Sequence, residues 1–398
     1  GMHIINEAKR CIQCKNPRCK EGCPINTPIP EMIELLLTDN ISKAGKMLFN
    51  NNPLSIVCSL VCPHEKFCEG NCILGFKSTP VQISSIENYI SDYALNVIDL
   101  KETNNYEGKV GIIGSGPSGI TIAFMLALKG YDITIFEAHD KIGGVMRYGI
   151  PDFRFPKDIL DKLKVKLVEL GVKIRPNILI GPVITIDDLF RDGFDCLFIG
   201  TGVWSPNKLG VKGESLGNVH FAVDYLKNPE VYDLGERVCV IGAGNVAMDV
   251  ARTALRRGSR EVFAMYRKGE ADMSASQYEK DYAKIDGVKF ELYKSPVEFT
   301  DKGVIYVSTD KDDPDIGEEK MFDCNSIIIA ISQGPKTNIV SNNKGIDTKS
   351  SGLVVTNKCG STTREGVFAS GDVVTGGRTV VEAANYAKKV AESMHRYM

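Results

Sequence analysis

The segment Lys109-Val-Gly-Ile-Ile-Gly-Ser-Gly-Pro-Ser-Gly119 decides the fold of this chain. It begins as a β-branched strand and runs directly into a turn that contains Gly114, Gly116 and Gly119. Helix-forming residues follow, and then a second strand-like segment, Asp132 to Phe136. A strand, a glycine-rich turn, a helix and another strand predict a βαβ unit of a parallel sheet.

The glycine spacing of this turn is typical of a dinucleotide site. The first glycine allows the tight turn, the second lets the backbone approach a pyrophosphate, and the third lets the helix pack on the strand. The helix N-terminus supplies free N–H groups and a positive dipole end for the phosphates. Glu137, which ends the second strand, can accept hydrogen bonds from ribose hydroxyls.

The same pattern occurs a second time. Strand-like Arg237 to Ile241 leads into a turn and a helix, and a further strand, Glu261 to Met265, follows the helix. The turn contains Gly242, Gly244, Asn245 and Val246, with Ala247 at the position of the third glycine. The repeat predicts two Rossmann-like dinucleotide-binding domains in one chain.

The second site differs from the first at the end of its second strand. When the two units are aligned strand by strand, Tyr266 takes the place of Glu137. Arg267 and Lys268 follow it directly. A carboxylate would repel a 2′-phosphate, whereas arginine binds one through charge-assisted hydrogen bonds. The second site is therefore predicted to bind NADP(H), and a solvated basic turn is the alternative.

Two dinucleotide sites in one chain predict one tightly bound flavin and one exchangeable nicotinamide, because a hydride must pass between them. The C-terminal part favours flavin at the first site, since a strand there ends in Gly371 and Asp372 and a helix begins at Thr379. We also assign Gly144 and Arg147 to cofactor binding. The segment around them has no cysteine pair, so we do not expect a self-contained disulphide reductase.

The predicted architecture is α/β, with one Rossmann-like domain inserted in the other. We expect a FAD-binding domain over residues 106–224 and 321–398, and an NADP(H)-binding domain over residues 225–320. Residues 1–105 lack the strand and glycine pattern, and we expect them to form a mainly helical domain that precedes the other two.

Eight of the twelve cysteines lie in that helical domain, in two runs. The runs are Cys11, Cys14, Cys19 and Cys23, and then Cys58, Cys62, Cys68 and Cys72. In a cytosolic chain such a concentration indicates metal binding more than disulphides. Zinc sites usually show two ligand pairs with a long gap, whereas close thiolate runs are typical of iron–sulfur clusters. We therefore predict two [4Fe–4S] clusters, with zinc as the alternative, and the spacing leaves open how the ligands are grouped.

The overall composition excludes several other classes of protein. With 398 residues, 43% of them hydrophobic and 25% charged, the chain reads as an ordinary globular protein of two or three domains. A net charge of −2 argues against a nucleic-acid or membrane partner. No apolar run approaches the roughly 18 residues of a membrane span, and no signal peptide precedes the first motif. We expect a cytoplasmic protein.

Five segments along almost the entire chain carry a resemblance to a known family. They are Cys-Ile-Gln-Cys-Lys-Asn-Pro at 11–17, Val-Cys-Pro at 61–63, the glycine turn at 110–119, Tyr-Gly-Ile-Pro-Asp-Phe-Arg-Phe-Pro-Lys at 148–157 and Gly-Asn-Val-Ala-Met-Asp at 244–249. Together they closely resemble the small (beta) subunit of bacterial NADPH glutamate synthase. The same module is similar to the N-terminal half of dihydropyrimidine dehydrogenase and to the large subunit of NADH-dependent ferredoxin:NADP oxidoreductase.

This resemblance implies how the cluster ligands are grouped. One cluster would be held by Cys11, Cys14, Cys19 and Cys72, and the other by Cys23, Cys62, Cys68 and a residue that is not cysteine. In dihydropyrimidine dehydrogenase that residue is a glutamine, and Glu87 takes its place here. Cys58 would then be unligated. The alternative is that Cys58 is the ligand and Glu87 is a surface acid.

The resemblance also implies an electron-input subunit. NADPH would give hydride to FAD, and electrons would pass through two clusters to a large catalytic subunit or a ferredoxin-type acceptor within a hetero-oligomer. No acid–base residue is expected, because the cofactors perform the chemistry. The alternatives are the large subunit of a ferredoxin:NADP oxidoreductase, a stand-alone NADPH reductase and, more remotely, a non-enzymatic zinc scaffold.

Overall fold

The computed structural model describes the chain except at residues 102–103, 182, 203–204, 207–208, 332, 335–344, 350, 352 and 376–377, and except for the side chains of 205–206 and 333–334. The described residues form two compact units. The first unit comprises residues 1–147, 152–203 and 335–398, and the second comprises 148–151 and 204–334. None of the described helices combines the length and the apolar character needed to cross a membrane.

The helices are α1 (Met2–Ala8), α2 (Arg18–Gly22), α3 (Ile29–Leu37), α4 (Ile41–Asn51), α5 (Ser55–Val61), α6 (Ile83–Val97), α7 (Pro117–Ala127), α8 (Val145–Tyr148), α9 (Asp158–Glu169), α10 (Ile186–Arg191), α11 (Ala222–Lys227), α12 (Asn245–Arg256), α13 (Gln277–Asp286), α14 (Asp372–Thr375) and α15 (Val380–Tyr397). The strands are β1 (Lys109–Ile113), β2 (Asp132–Phe136), β3 (Lys173–Arg175), β4 (Cys196–Ile199), β5 (Ser205–Pro206), β6 (Val219–Phe221), β7 (Arg237–Ile241), β8 (Glu261–Tyr266), β9 (Lys289–Leu292), β10 (Lys294–Thr300), β11 (Gly303–Ser308), β12 (Glu319–Asp323), β13 (Ser326–Ile329), β14 (Gln333–Gly334) and β15 (Val367–Ala369).

The N-terminal part is helical, as predicted, and has its own apolar core. Met32, Ile33, Leu48 and Ile86 are among the buried side chains that α3, α4 and α6 contribute to it. Helix α4 lies very close to α6 at Gly45, where an added Cβ would stand 2.4 Å from the Cβ of Ala94. The absence of a side chain at this position therefore lets the two helices pack tightly.

The first sheet has the order β15-β4-β1-β2-β3 and is parallel throughout. Strands β1 and β2 have the predicted bounds, and Ile113 pairs with Phe136 at their carboxyl ends. Ile113 also pairs with Ile199 of β4. Because all five strands run the same way, the loops that follow them meet at one edge of the sheet, where ligands of such folds bind.

The N-terminal helices belong to the same compact unit as this sheet. The ring of Phe49 meets that of Phe124 edge-on, with ring centroids 5.1 Å apart. The Lys388 ammonium of α15 donates to the side-chain oxygen of Asn51 at 2.9 Å. These contacts fix α4 of the helical part against α7 and α15, two helices of the first Rossmann-like fold.

The second unit contains a parallel sheet of order β6-β13-β7-β8-β9, an antiparallel sheet β10-β11-β12 and the pair β5 and β14. Strand β13 lies between β6 and β7 and pairs with both. The predicted limits of this domain, residues 225 and 320, therefore leave out two of the five strands of its parallel sheet, β6 and β13. The second unit of the structure comprises 204–334 together with 148–151, and it includes both of these strands.

Candidate functional site

Two glycines of the first turn lie in close contact with other backbone atoms, and the third has free space beside it. Gly114 has a φ of +98°, and a Cβ there would lie 2.4 Å from the carbonyl oxygen of Gly200. A Cβ on Gly119 would lie 2.2 Å from the carbonyl oxygen of Gly114. At Gly116, by contrast, an added Cβ would meet no atom within 4 Å. The middle glycine thus leaves room for a ligand to approach the backbone.

Glu137 is buried at the end of β2 and is held in place from two sides. The Ser115 hydroxyl donates to Glu137 Oε1 at 2.8 Å, and the backbone N–H of His139 donates to Oε2 at 3.2 Å. Burial acts to raise the pKa of Glu137, but the hydrogen bonds from His139 and Ser115 outweigh it and lower the pKa below its usual value. The side chain is therefore a fixed carboxylate beside the turn.

The segment after β15 adds a second carboxylate at the same edge of the sheet. Gly371 has a φ of +79°, and a Cβ there would clash with the Ser118 hydroxyl of α7. Asp372 accepts a hydrogen bond from the backbone N–H of Arg378 at 3.2 Å. Burial raises the pKa of Asp372 to about 6. The hydrogen bond from Arg378 lowers the pKa but does not offset the effect of burial, so this carboxyl ionises less readily than an exposed aspartate.

Thr379 forms the N-terminal cap of α15. Its hydroxyl accepts from the backbone N–H of Glu382 at 3.3 Å, and its own backbone N–H donates to the Glu382 carboxylate at 3.4 Å, which completes a capping box. The hydroxyl also donates to that carboxylate at 2.7 Å. The Thr379 side chain is thus engaged within the helix end, and the ligand-binding group that this position offers is the helix N-terminus.

Two buried hydroxyls at this edge were not among the predicted site residues. Thr201 Oγ1 and Ser370 Oγ are buried and have no hydrogen-bond partner among the described residues. They follow the adjacent strands β4 and β15. A buried polar group without a partner costs about 1–3 kcal/mol, so the edge suits a polar ligand. Ser370 directly follows β15, and Thr201 follows β4 after Gly200, so their positions at the ends of strands were the available signal.

Gly144 and Arg147 lie in the loop and short helix near the first turn. Gly144 has a φ of +53°, and a Cβ there would lie 2.8 Å from the Cα of Gly116. The Arg147 guanidinium donates to the Ile142 carbonyl at 2.6 Å and to Asp161 at 2.7 Å. Gly144 therefore adjoins the open glycine, whereas Arg147 is engaged in fixing its own segment.

The second glycine turn repeats the geometry of the first. Gly242 has a φ of +149°, and a Cβ there would lie 2.3 Å from the carbonyl oxygen of Ala330. At Gly244 an added Cβ would meet only the Ser274 hydroxyl, at 3.2 Å. The first glycine again packs against a neighbouring strand, and the second again has little around it.

Asn245 and Val246 open helix α12 and have structural contacts. The Asn245 side-chain oxygen accepts from the backbone N–H of Ser276 at 3.0 Å. Val246 is half-buried and packs against the core of the second unit. The two residues therefore orient the N-terminus of α12 at the turn.

The end of β8 carries exposed positive charge where β2 carries Glu137. Strand pairing ends at Phe136 in the first sheet and reaches Met265 at the equivalent point of the second, so Tyr266 is the counterpart of Glu137. Arg267 and Lys268 are exposed, and neither forms an ion pair with a described residue. The Arg267 carbonyl accepts from the Thr309 hydroxyl, which fixes the backbone of the turn.

Four of the predicted cluster ligands line one cavity, of about 580 Å³, part of which is open to solvent. They are Cys11, Cys14, Cys19 and Cys72. Apolar side chains complete the wall, among them Ile29, Ile33 and Val81. The side-chain amide of Gln13 donates to the Cys11 sulfur at 3.7 Å. Burial raises the pKa of Cys19 to about 11, so this thiol needs a bound cation to become a thiolate.

Five of the residues considered as cluster ligands in the sequence line a second cavity, of about 340 Å³, which His64 also lines. They are Cys23, Cys58, Cys62, Cys68 and Glu87. Glu87 is buried on α6, so the alternative of a surface acid is wrong. Burial raises the pKa of Glu87 to about 8. Cys58 lines the same cavity, and its sulfur accepts from the side-chain amide of Asn52 at 3.4 Å.

The two cavities adjoin each other and the first Rossmann-like fold. Ile29 lines both of them. Val381, in the first turn of α15, lines the second cavity. Among the described residues no three His, Cys, Asp or Glu side chains converge on a point suited to a single metal ion. A [4Fe–4S] cluster takes one ligand at each of four iron atoms, so its ligands surround a cavity instead of one point.

Comparison with known families divides the chain between its helical N-terminal part and the part that contains the two Rossmann-like folds. Residues 2–98 match the family described as dihydropyrimidine dehydrogenase domain II, 4Fe-4S cluster. Residues 108–389 match the pyridine nucleotide-disulphide oxidoreductase family.

Individual relatives extend over nearly the whole chain. A glutamate synthase [NADPH] small chain of Halomonas elongata is 32% identical over 98% of this chain and 90% of its own length. The NAD-dependent dihydropyrimidine dehydrogenase subunit PreT of Salmonella typhimurium is 29% identical over 99% of this chain and 94% of its own length. The solved structure of Mycobacterium tuberculosis FprA in complex with NADPH covers 73% of this chain and 84% of its own, with a TM-score of 0.63 and 17% identity.

Proposed function

The chain belongs to the family of pyridine nucleotide-disulphide oxidoreductases that includes the glutamate synthase small chains, and on that premise we propose that it is the NADPH-oxidising, electron-input subunit of a larger enzyme. Its first unit would hold FAD and two [4Fe–4S] clusters, its second unit would hold NADPH, and a partner protein would accept the electrons. Bound together, these groups would supply hydride acceptance and single-electron transfer.

The residues of the first unit fit FAD. The open glycine, Gly116, leaves space for a pyrophosphate at the N-terminus of α7. Glu137 is a fixed carboxylate that can accept from ribose hydroxyls. Asp372, Thr201 and Ser370 offer further polar groups that the protein itself leaves poorly satisfied. A long ligand with hydroxyls and phosphates would satisfy them.

The residues of the second unit fit NADPH better than NADH. Gly244 and the N-terminus of α12 can receive the pyrophosphate. Arg267 and Lys268 are exposed and form no ion pair with a described acid, and they directly follow Tyr266, which stands where a site for NADH would carry a carboxylate. Their charge would bind the 2′-phosphate and make NADPH the preferred nucleotide.

The donor sets of the two cavities fit iron–sulfur clusters. Four thiols in a mainly apolar wall suit a cluster with one thiolate at each iron. In the second cavity we assign Cys23, Cys62, Cys68 and Glu87 as ligands, because a buried carboxyl with a raised pKa gains most from a nearby cation. The role of these residues is to hold the clusters in a low-dielectric environment and to fix their position.

One observation carries the proposal: the predicted cofactor sites of the first unit form a continuous series. Val381 belongs to the helix whose N-terminus lies at the predicted FAD site, and it lines the second cavity. Ile29 separates the second cavity from the first. The series supports an order of FAD, then the cluster of Cys23, Cys62 and Cys68, then the cluster of the first cavity.

An anaerobic titration tests the proposed function. Purified protein should contain about eight iron and eight sulfide atoms per chain, together with one FAD. Stepwise addition of NADPH should bleach the flavin absorption and then produce the electron paramagnetic resonance signals of reduced clusters. A colourless protein that contains zinc, or clusters that NADPH cannot reduce, would contradict the proposal.

A further inference from the structure

The surface around the first cavity, the outermost in the proposed series, carries exposed apolar side chains. Ile12 is 60% exposed, Ile73 is 45% exposed and Phe76 is 70% exposed. Ile12 and Ile73 line the mouth of the cavity itself. Exposed apolar groups that are surrounded by polar residues are typical of protein–protein contact sites.

The same surface carries an excess of positive charge. The segment from Lys9 to Lys20 contains five lysine or arginine residues and no acid. Lys15 and Arg18 are exposed and Lys20 is half-buried, and none of the three forms an ion pair with a residue that the structure describes. The Arg18 guanidinium lines the cavity and lies 5.6 Å from the centroid of the Phe76 ring. Charged and apolar groups therefore form one continuous surface.

Neighbouring acids do not cancel this charge. Glu7 is already paired with Arg10 at 2.6 Å. Glu21 and Glu31 are close in sequence and exposed, but the lysines and arginines of the segment outnumber them. The whole chain has a net charge of −2, so the positive charge is a property of this surface and not of the protein as a whole.

We propose that this surface, formed by Ile12, Ile73 and Phe76 with Lys15, Arg18 and Lys20, docks an acidic face of the protein that accepts the electrons. The inference rests on the proposed function and adds the chemistry of the partner. Apolar side chains would form the centre of the contact and the cations its rim. Complementary charge at a rim steers the encounter and raises the association rate.

Flavodoxin, a small acidic one-electron acceptor, is a suitable probe of this surface. One NADPH supplies a hydride, which carries two electrons and one proton, and one further proton comes from solvent. Two flavodoxin molecules each take one electron and one proton, and NADP⁺ is released. The rate of this reaction is followed by flavodoxin absorbance over a range of salt concentrations, with the full chain and its cofactors.

The variant Lys15→Glu/Lys20→Glu reverses the charge of the surface and leaves the proposed ligands in place. The matched control is Lys162→Glu/Lys164→Glu on α9, where one lysine is likewise exposed and the other half-buried. At low salt we expect the first variant to reduce flavodoxin about 10-fold more slowly, with a much weaker salt dependence. The control should keep the wild-type rate and salt dependence.

Two further measurements distinguish a failure of the docking proposal from a failure of the proposed function. Reduction of the clusters by NADPH, and the midpoint potential of the first cluster, are measured in both variants. If the charge-reversed variant keeps the wild-type rate and salt dependence, or slows only as its cluster potential changes, the docking proposal is wrong. If NADPH fails to reduce the clusters of the wild type, the proposed function itself is wrong.

Discussion

At the scale of single residues, the two nucleotide turns differ in charge while their backbones are alike. In both turns the first glycine packs against the residue after a neighbouring strand of the sheet, and the second glycine has open space around the position of its missing side chain. Glu137 is held as a carboxylate by Ser115 and His139, whereas its counterpart Tyr266 is followed by two exposed cations. The choice of nucleotide therefore depends on a few side chains that can be changed without disturbing the sheet.

Substitution of Arg267 by alanine tests the assignment of the second turn. A lost charged hydrogen bond costs about 1.5–3 kcal/mol, which is roughly 10- to 100-fold in affinity. Arg267→Ala should raise the Michaelis constant for NADPH by that factor and hardly change the one for NADH. Arg260→Ala is the control, because Arg260 is equally exposed but precedes β8. Equal losses with both nucleotides would contradict the assignment.

Asp372 provides a test of which site holds the flavin. It lies at the carboxyl edge of the first sheet, where its half-buried carboxyl accepts a hydrogen bond from the backbone N–H of Arg378 and still has a raised pKa. Asp372→Ala should lower the FAD content of the purified protein, while binding of NADPH to the second unit is retained. Flavin absorbance and a nucleotide-binding titration measure the two effects. A variant that keeps all its FAD and loses NADPH would mean that the two domains have the reverse roles.

The raised pKa of Asp372 also predicts a pH dependence of stability. The folded-state pKa of about 6 lies above the ordinary value of 3.8, so the native state binds its proton more tightly. Stability is therefore lost as pH rises from about 4 to 6 and stays lower above that. In protein freed of FAD, Asp372→Asn should stabilise the fold by about 1–2 kcal/mol at pH 7.5 and by less at pH 5. Urea unfolding at the two pH values measures this, and an equal gain at both would be inconsistent with it.

At the scale of elements, the glycine-flanked strands were the most predictable part of the chain. Strands β1, β2 and β7 have their predicted bounds, and the β-branched runs of β1 and β7 end directly before Gly114 and Gly242. Helix α4 was not predicted as a separate helix, although its buried residues Ala44, Leu48 and Phe49 recur at helical spacing. Its packing depends on the close approach of Gly45 to α6, which the sequence alone does not reveal. Strand β13 was assigned to the other domain because only its pairing with β6 and β7 shows where it belongs.

The grouping of the cysteines could not be derived from their spacing. Cys72 comes from the second run but lines the cavity of Cys11, Cys14 and Cys19, while Cys23 of the first run lines the other. Three short 3₁₀ turns between residues 64 and 76 bring the second run back beside the first. Only the resemblance to a known family indicated that the two runs exchange one cysteine each.

The hydroxyls of Thr201 and Ser370 were not predicted as site residues, because their burial depends on the assembled sheet.

Substitution by alanine should have different effects at Gly114 and at Gly116, the first two glycines of the first turn. Gly114→Ala adds a methyl group at positive φ against the Gly200 carbonyl, so it should destabilise the protein by more than about 1 kcal/mol. Gly116→Ala adds its methyl group to open space, so it should leave the unfolding midpoint of the FAD-free protein nearly unchanged and weaken FAD binding. Denaturant unfolding and FAD titration separate the two. Strong destabilisation by Gly116→Ala would show that this position is structural.

At the scale of the whole molecule, the first unit joins a predicted flavin site to two cysteine-lined cavities within one compact body. Contacts such as Phe49 with Phe124 and Lys388 with Asn51 fix the helical part against the Rossmann-like fold. Electron transfer needs such fixed spacing between centres, whereas a purely structural metal domain would not need to lie beside the flavin. The arrangement can therefore be tested by removing one centre and leaving the others.

Cys14→Ala should damage the cluster of the first cavity, because Cys14 is one of the four thiols that line it. The iron content should fall from about eight to about four atoms per chain. NADPH should still reduce the flavin, and a small artificial acceptor that takes electrons directly from flavin should still turn over, since neither needs the first cavity. Transfer to the physiological partner, or to flavodoxin as its substitute, should fall to the level of a reaction without enzyme.

The control for this prediction is Cys359→Ala, which removes an exposed thiol that is remote in sequence from both runs. It should leave the iron content and every rate at the wild-type value. Because loss of a cluster can also unfold a small metal-binding domain, circular dichroism and FAD content are measured on both variants. If Cys14→Ala lacks the cluster, keeps its fold and still reduces the protein acceptor at the wild-type rate, the first cluster is structural. Electrons would then leave the chain from the flavin or from the second cavity, where Val381 already joins the two sites.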